Sequence, residues 1–312
     1  MSETPKYRLV TRSDFDGLVC AVILRELNLI GDIKFVHPKD MQDRKIDITD
    51  KDITTNLPYV EGVYLAFDHH SSETLRAGGK QRDNHIIDPH APSAARVVYD
   101  YYGGKERLAA ISTEMMAAVD KGDSAQFNRE EILHPGGWDL LNYLMDARTG
   151  LGRFHTFRIS NYNLMMDLIA YCKNHTIDEI LALPDVQERV KLYFEHEEKF
   201  KDQIKRCARV HKNLVVLDLR NEETIWPGNR FMIYALFPET NISMHVIWGV
   251  KKQNTAIPIG KSILNRTSTT DIGKLCLKYG GGGHVNAGTC QVENDKSEQV
   301  IQELIHQINL DT

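Results

Sequence analysis

The sequence has no apolar run approaching the ~20 residues that a membrane-spanning helix needs, so no membrane partner is expected. Cysteines are few and dispersed. Cys20, Cys172, Cys207, Cys276 and Cys290 show no CxxC spacing, which argues against a disulfide framework and against a cysteine zinc site. Positive charge is not in surplus either: 38 Lys and Arg face 43 Asp and Glu, for a net charge of −5. A protein that works on long nucleic acid carries a basic surface for the phosphates. A short anionic ligand therefore fits better than a long duplex. The opening residues MSETPKYRLV lack the basic and apolar regions of a signal peptide, and the cytoplasm is the expected location. Internal repeats and low-complexity tracts are absent.

What is present is an ordinary globular composition, 42% hydrophobic and 26% charged over 312 residues, long enough for two domains. YRLVT at 7–11, IKFVH at 33–37, and the runs 53–57 and 63–67 read as strands. An apolar stretch from Leu18 to Leu27, PSAARVVYDYY after Ala91 and ISTEMMAAVD read as helices, with Pro92 in a first turn. Strands alternating with helices predict a parallel sheet. Helices fill about 161–210. NLVVLDLR, RFMIYALF and ISMHVIWGV then read as strands, and an amphipathic helix begins near Ser297. The expected class is α/β, with domains at 1–185 and 212–312 joined by a helical linker at 186–211.

Four constellations carry chemistry. Asp14-x-Asp16-Gly17 follows the first strand, where the loops of a parallel sheet bind ligands. Two carboxylates there suit hard divalent ions, although an acidic turn capping the next helix reads as well. Asp68-His69-His70 ends an apolar strand, and carboxylate plus imidazole suits Mn²⁺ or Fe²⁺ better than Ca²⁺. Asp120-Lys121-Gly122-Asp123 follows MMAAV and by itself reads as a charged helix terminus. Gly280-Gly281-Gly282-Gly283-His284 can bring backbone amides close to an anion, with His284 as an added donor.

In this order the four elements resemble the DHH phosphoesterases. TRSDFDG is similar to the first motif, FDHH is the name-giving motif, DSAQF is similar to the fourth, and GGGGHVNAG resembles the signature of the DHH-associated C-terminal domain. IGKSILNRTS resembles that domain's strand with a phosphate-binding arginine, Arg266. The resemblance implies two Mn²⁺ ions, with Mg²⁺ or Co²⁺ as substitutes. Asp14 and Asp16 would each bind one ion, His69 and Asp123 the second, with Asp120 the competitor of Asp123. Asp68 would orient the histidines and His70 would contact phosphate. Arg266, Gly281, Gly282, Gly283 and His284 would hold the substrate. Two departures stand out. Arg12 occupies the place of a family histidine, which implies either fewer ligands for the first ion or a phosphate clamp in its stead. Asn56 stands where the family has a bridging aspartate, and Asp40 is the expected substitute.

The implied activity is two-metal hydrolysis of short linear dinucleotides or small oligonucleotides to mononucleotides. Cyclic dinucleotides and 3′-phosphorylated adenosine nucleotides are variants. The alternatives are an exopolyphosphatase and a nucleotide-binding regulator without catalysis. The oligomeric state, including a homodimer, is left open.

Overall fold

The computed structural model describes residues 7–70, 73, 82–153 and 156–311. The chain forms two compact units. The first is Met1–Gln126 with Pro135–Leu192; the second is Phe127–His134 with Tyr193–Thr312. The segment Phe127–His134, placed in the first domain by sequence, thus goes with the second unit.

The first unit holds five strands: β1 (Tyr7–Arg12), β2 (Ile30–Val36), β3 (Asp52–Thr55), β4 (Leu65–Asp68) and β5 (His85–Ile87). They lie in the order β2-β1-β3-β4-β5. Every pairing is parallel, as the alternation of elements predicts. The short β5 is not among the strands expected from sequence. Its helices include α1 (Phe15–Glu26), α2 (Pro38–Gln42), α3 (Ala94–Tyr101), α4 (Thr113–Asp123), α5 (Gly137–Met145) and α6 (Asn161–Asn174). From Leu18 to Leu24 every residue of α1 is fully buried, because the helix packs against α3, α4 and α6. Each such leucine, valine or isoleucine contributes roughly 1.5–3 kcal/mol by leaving water. Ser93 caps α3 by accepting from Arg96 N, so Pro92 precedes the helix instead of opening it.

Helix α7 (Pro184–Cys207) spans the division between the units. The second unit has β6 (Ala208–His211), β7 (Leu214–Asp218), β8 (Ile242–Trp248), β9 (Thr255–Lys261), β10 (Gly282–His284) and β11 (Ala287–Val292), in the order β10-β11-β9-β8-β7-β6. Only β7–β8 is parallel among these pairs. Its helices include α8 (Met232–Leu236), α9 (Ile272–Leu277) and α10 (Ser297–Leu310). Met244, Ile257, Ile259, Leu275 and Leu304 share its core. RFMIYALF, expected as a strand, contains α8 instead. Met232 to Ala235 are all buried, so no alternation marks a strand face, and Asn229 Oδ1 accepts from Phe231 N just before the helix.

All five cysteines are free. Among the described residues no helix is long and apolar enough to cross a membrane.

Candidate metal centre

The carboxyl ends of β1, β3 and β4 carry the polar residues of the first unit. After Arg12 the chain turns into α1, and Asp14 is its N-cap, Oδ1 accepting from Gly17 N at 3.0 Å. A Cβ at Gly17 would stand 2.0 Å from the Arg12 carbonyl oxygen, so this tight entry requires glycine. Asp14 Oδ2 pairs with Arg12 Nε at 2.9 Å. Asn56 follows β3 in the left-handed region at φ 55°. Its Nδ2 lies 3.4 Å from Asp14 Oδ1, and its buried Oδ1 has no hydrogen-bond partner.

Asp16 is buried in the first turn of α1. Its Oδ1 accepts from Ala95 N at 2.8 Å and its Oδ2 from Ala94 N at 3.1 Å, the opening amides of α3. An anion at a helix N-terminus is favoured by both the free amides and the dipole. At the end of β4, Asp68 Oδ1 accepts from His69 N at 2.8 Å and from His70 Nδ1 at 2.7 Å. Asp68 Oδ2 is buried without a hydrogen-bond partner. Asp123, the last residue of α4, approaches from the helical side.

One donor atom each from Asp16, His69 and Asp123 lie within 4.8 Å of one another, and so do donors of Asp68, His69 and His70. His69 Nδ1 faces the Ala91 carbonyl at 3.2 Å and Nε2 faces Asp123 Oδ2 at 2.8 Å. A carbonyl only accepts, so Nδ1 carries the ring hydrogen. Nε2 of the neutral ring then lies 2.8 Å from a carboxylate oxygen yet makes no hydrogen bond, an arrangement that suits a cation held by both. A proton fills that place when His69 is charged. Burial opposes that charge, but Asp123, then Asp16 and Asp68, outweigh it and push His69 up to about 9. Burial, then the charges of Asp123 and Asp14, push Asp16 up to about 8. A divalent ion is the other cation that fits. The set mixes carboxylate with an imidazole whose far nitrogen is already held, as metal-binding histidines require.

Two residues named from the sequence lie elsewhere. Asp40 sits on α2 paired with Lys45 at 3.1 Å, side chain 40% exposed, and belongs to neither donor group. Asp120 is also outside both groups: Ser93 Oγ donates to its Oδ1 at 2.8 Å and Arg96 Nε to its Oδ2 at 3.0 Å.

In the second unit, Gly282–His284 forms strand β10, paired with β11. A Cβ at Gly281 would meet Thr289 O at 2.2 Å and one at Gly283 would meet Ala287 O at 2.3 Å, so strand packing alone demands these two glycines. Gly282 faces open space. Arg266 follows β9 in a loop, Nε donating to Ile263 O at 3.0 Å.

The α3 amides and the Ala91 carbonyl were missed from sequence. Ser93 was visible as a helix-cap type, but nothing local links Ala94 to Asp16, 78 residues earlier. Arg148 also lies in the field of the site: burial opposes its charge, but Asp146, then Asp14 and Asp123, favour it.

The chain is 61% identical to the pGpG-specific phosphodiesterase PggH from Vibrio cholerae, covering 98% of this chain and 100% of that one, with a TM-score of 0.86. The chain belongs to the DHH phosphoesterase family. The DHH fold is shared more widely. RecJ from Thermus thermophilus, solved with Mn²⁺, matches at TM-score 0.50 and 14% identity over 98% of this chain and 52% of its own. CDC45 from Entamoeba histolytica matches at TM-score 0.50 and 9% identity over 97% and 95% of the two chains. No family model matches the chain, and none of the curated proteins does.

Proposed function

We propose that this DHH protein is a divalent-metal phosphodiesterase that hydrolyses pGpG, a linear guanine dinucleotide with a 5′ phosphate, to two molecules of GMP. The observation that carries the reading is the 61% identity to PggH, which spans 98% of this chain. The bond broken is the single internal phosphodiester. The oxygen of a water joins phosphorus, the 3′ oxygen leaves, and the water's proton completes the leaving hydroxyl.

Asp16, His69 and Asp123 would hold one ion, Mn²⁺ first, with Mg²⁺ or Co²⁺ as substitutes. Asp14, with Asn56 as a neutral oxygen donor, offers oxygens for a second. When bound, such ions lower the pKa of a water and polarise the phosphoryl oxygens. The protein supplies positioning and charge around them. Asp68 holds the His70 ring through Nδ1, and an imidazolium held this way donates from Nε2 to a phosphoryl oxygen. Arg12, paired to Asp14, adds positive charge for the same oxygens. In the second unit Arg266, His284 and the amides of Gly281, Gly282 and Gly283 would bind the substrate's far nucleotide or terminal phosphate. Residues 1–185 thus carry the chemistry, 212–312 carry recognition, and 186–211 link them.

A substrate panel with Mn²⁺ tests this: pGpG, other linear dinucleotides, a cyclic dinucleotide and polyphosphate, with nucleotide and phosphate products quantified. The expected result is fastest turnover of pGpG with two GMP per molecule. Preferred release of phosphate from polyphosphate, or preferred cleavage of the cyclic dinucleotide, would overturn the reading.

A further inference from the structure

Asp16 and Asp123 are like charges brought together on different elements, one on α1 and one on α4. Local sequence does not hold them at a fixed spacing. Asp16 is gripped at both oxygens by Ala94 N and Ala95 N, so its position is that of the α3 N-terminus. Asp123 sits one helical turn beyond Asp120 on α4. Asp120 in turn binds the same α3 N-terminus. Ser93 Oγ donates to its Oδ1 at 2.8 Å, and the Arg96 fork donates to its Oδ2 through Nε at 3.0 Å and through Nη2. Ser93 Oγ also accepts from Arg96 N at 3.0 Å, so one hydroxyl caps the helix and ties it to α4. The charged partners are mostly shielded, 27% exposed at Arg96 and 17% at Asp120.

We infer that Ser93, Arg96 and Asp120 form a brace of positioning residues that fixes the spacing of the Asp16 and Asp123 carboxylates and thereby sets the affinity of the metal centre. The inference rests on the reading that these two carboxylates hold the ion. It gives Asp120 a role different from that of a ligand. Asp16 and Asp123 bring carboxylate oxygens within 4.8 Å of one another, and as like charges they repel. Residues behind the ligands of a metal typically change affinity by about ten- to a hundredfold when altered.

The test titrates Mn²⁺ alone into chelator-treated protein by calorimetry and counts bound metal at saturation. Asp120→Asn and Arg96→Met should each weaken the Kd for Mn²⁺ by about ten- to a hundredfold with unchanged stoichiometry. Arg96→Lys should fall between them and wild type. At saturating Mn²⁺ the Asp120→Asn enzyme should recover most of its kcat for pGpG, with KM unchanged. Ser93→Ala leaves both charges in place and should weaken binding in the same direction, so the test survives if a charge variant does not fold. Arg8→Met breaks another ion pair of the unit, Arg8 Nε to Asp52 Oδ1 at 2.6 Å, and should lower Tm without changing the Kd. Arg96→Met is decisive, because removal of a positive charge near an anionic site by itself tightens cation binding. A tighter or unchanged Kd there overturns the brace. Loss of a bound ion at saturation in Asp120→Asn overturns it too, by making Asp120 a ligand. Wild-type protein that binds Mn²⁺ with the predicted variant pattern but leaves pGpG intact would overturn the proposed substrate and support the brace.

Discussion

His69 turns Nε2 to Asp123 Oδ2 at 2.8 Å while the Ala91 carbonyl, 3.2 Å away, fixes Nδ1 as the protonated nitrogen. The contact joins the end of β4 to the last residue of α4, so the geometry of this pair depends on both the sheet and the helical layer. It also makes the site's chemistry specific. A lone pair and a carboxylate facing each other accept a proton or a metal ion, and little else.

Asn56 and Asp40 give a prediction at two positions. Asp40→Asn should leave metal content and kcat/KM at wild-type values, since Asp40 pairs with Lys45 outside the donor groups. Asn56→Ala removes a buried, unpartnered oxygen from the side chain whose Nδ2 meets Asp14, and should reduce metal affinity by about ten- to a hundredfold. Metal content after dialysis at limiting Mn²⁺ reads both variants, and the reverse order would restore Asp40 to the site.

The same pair shows the limit of what is legible in the sequence. The Asp68-His69-His70 run and the Asp14-x-Asp16-Gly17 turn were visible because each follows a short apolar strand, and parallel strands place such turns at one edge. Position 40 also follows a strand, yet its carboxylate pairs with Lys45, five residues on, a local surface contact that the strand-end pattern does not distinguish from a site. Asp16 is held by amides 78 and 79 residues away, a contact with no local signature. RFMIYALF misled for another reason: a segment buried all round has no periodicity to tell helix from strand. The glycine run, open to reading as an anion-binding loop, contains a strand in which Gly281 and Gly283 are demanded by the approach of β11.

Acid should weaken the first unit through Asp52. Burial alone would raise this carboxyl, but the Arg8 guanidinium and Thr49 outweigh it and hold it below its ordinary value of about 3.9. A depressed carboxylate contributes stability above its unfolded pKa and loses it as pH falls through the folded value. Urea midpoints should therefore drop on acidification below about pH 4, and Asp52→Asn should flatten that part of the profile. An unchanged slope in the variant would remove Asp52 from the acid response.

Recognition should be separable from chemistry. His284→Ala should keep its metal and lose about ten- to a hundredfold in kcat/KM for pGpG, the cost of a lost charge-assisted phosphate contact. Bis-p-nitrophenyl phosphate lacks the distal nucleotide and should be affected much less. Equal loss on both substrates, or loss of metal, would contradict the assignment of recognition to the second unit.

If the Asp16–His69–Asp123 group is the metal centre that hydrolyses the internal phosphodiester of pGpG, activity must follow both the ion and the imidazole. The direct measurement is GMP release from pGpG by chelator-treated protein, by the same protein reloaded with Mn²⁺, and by His69→Ala with Mn²⁺ in excess. Expected are no release without metal, two GMP per pGpG after reloading, and a loss in His69→Ala well beyond the roughly hundredfold typical of a residue behind the ligands. Near wild-type turnover by the chelated protein or by His69→Ala would contradict the assignment.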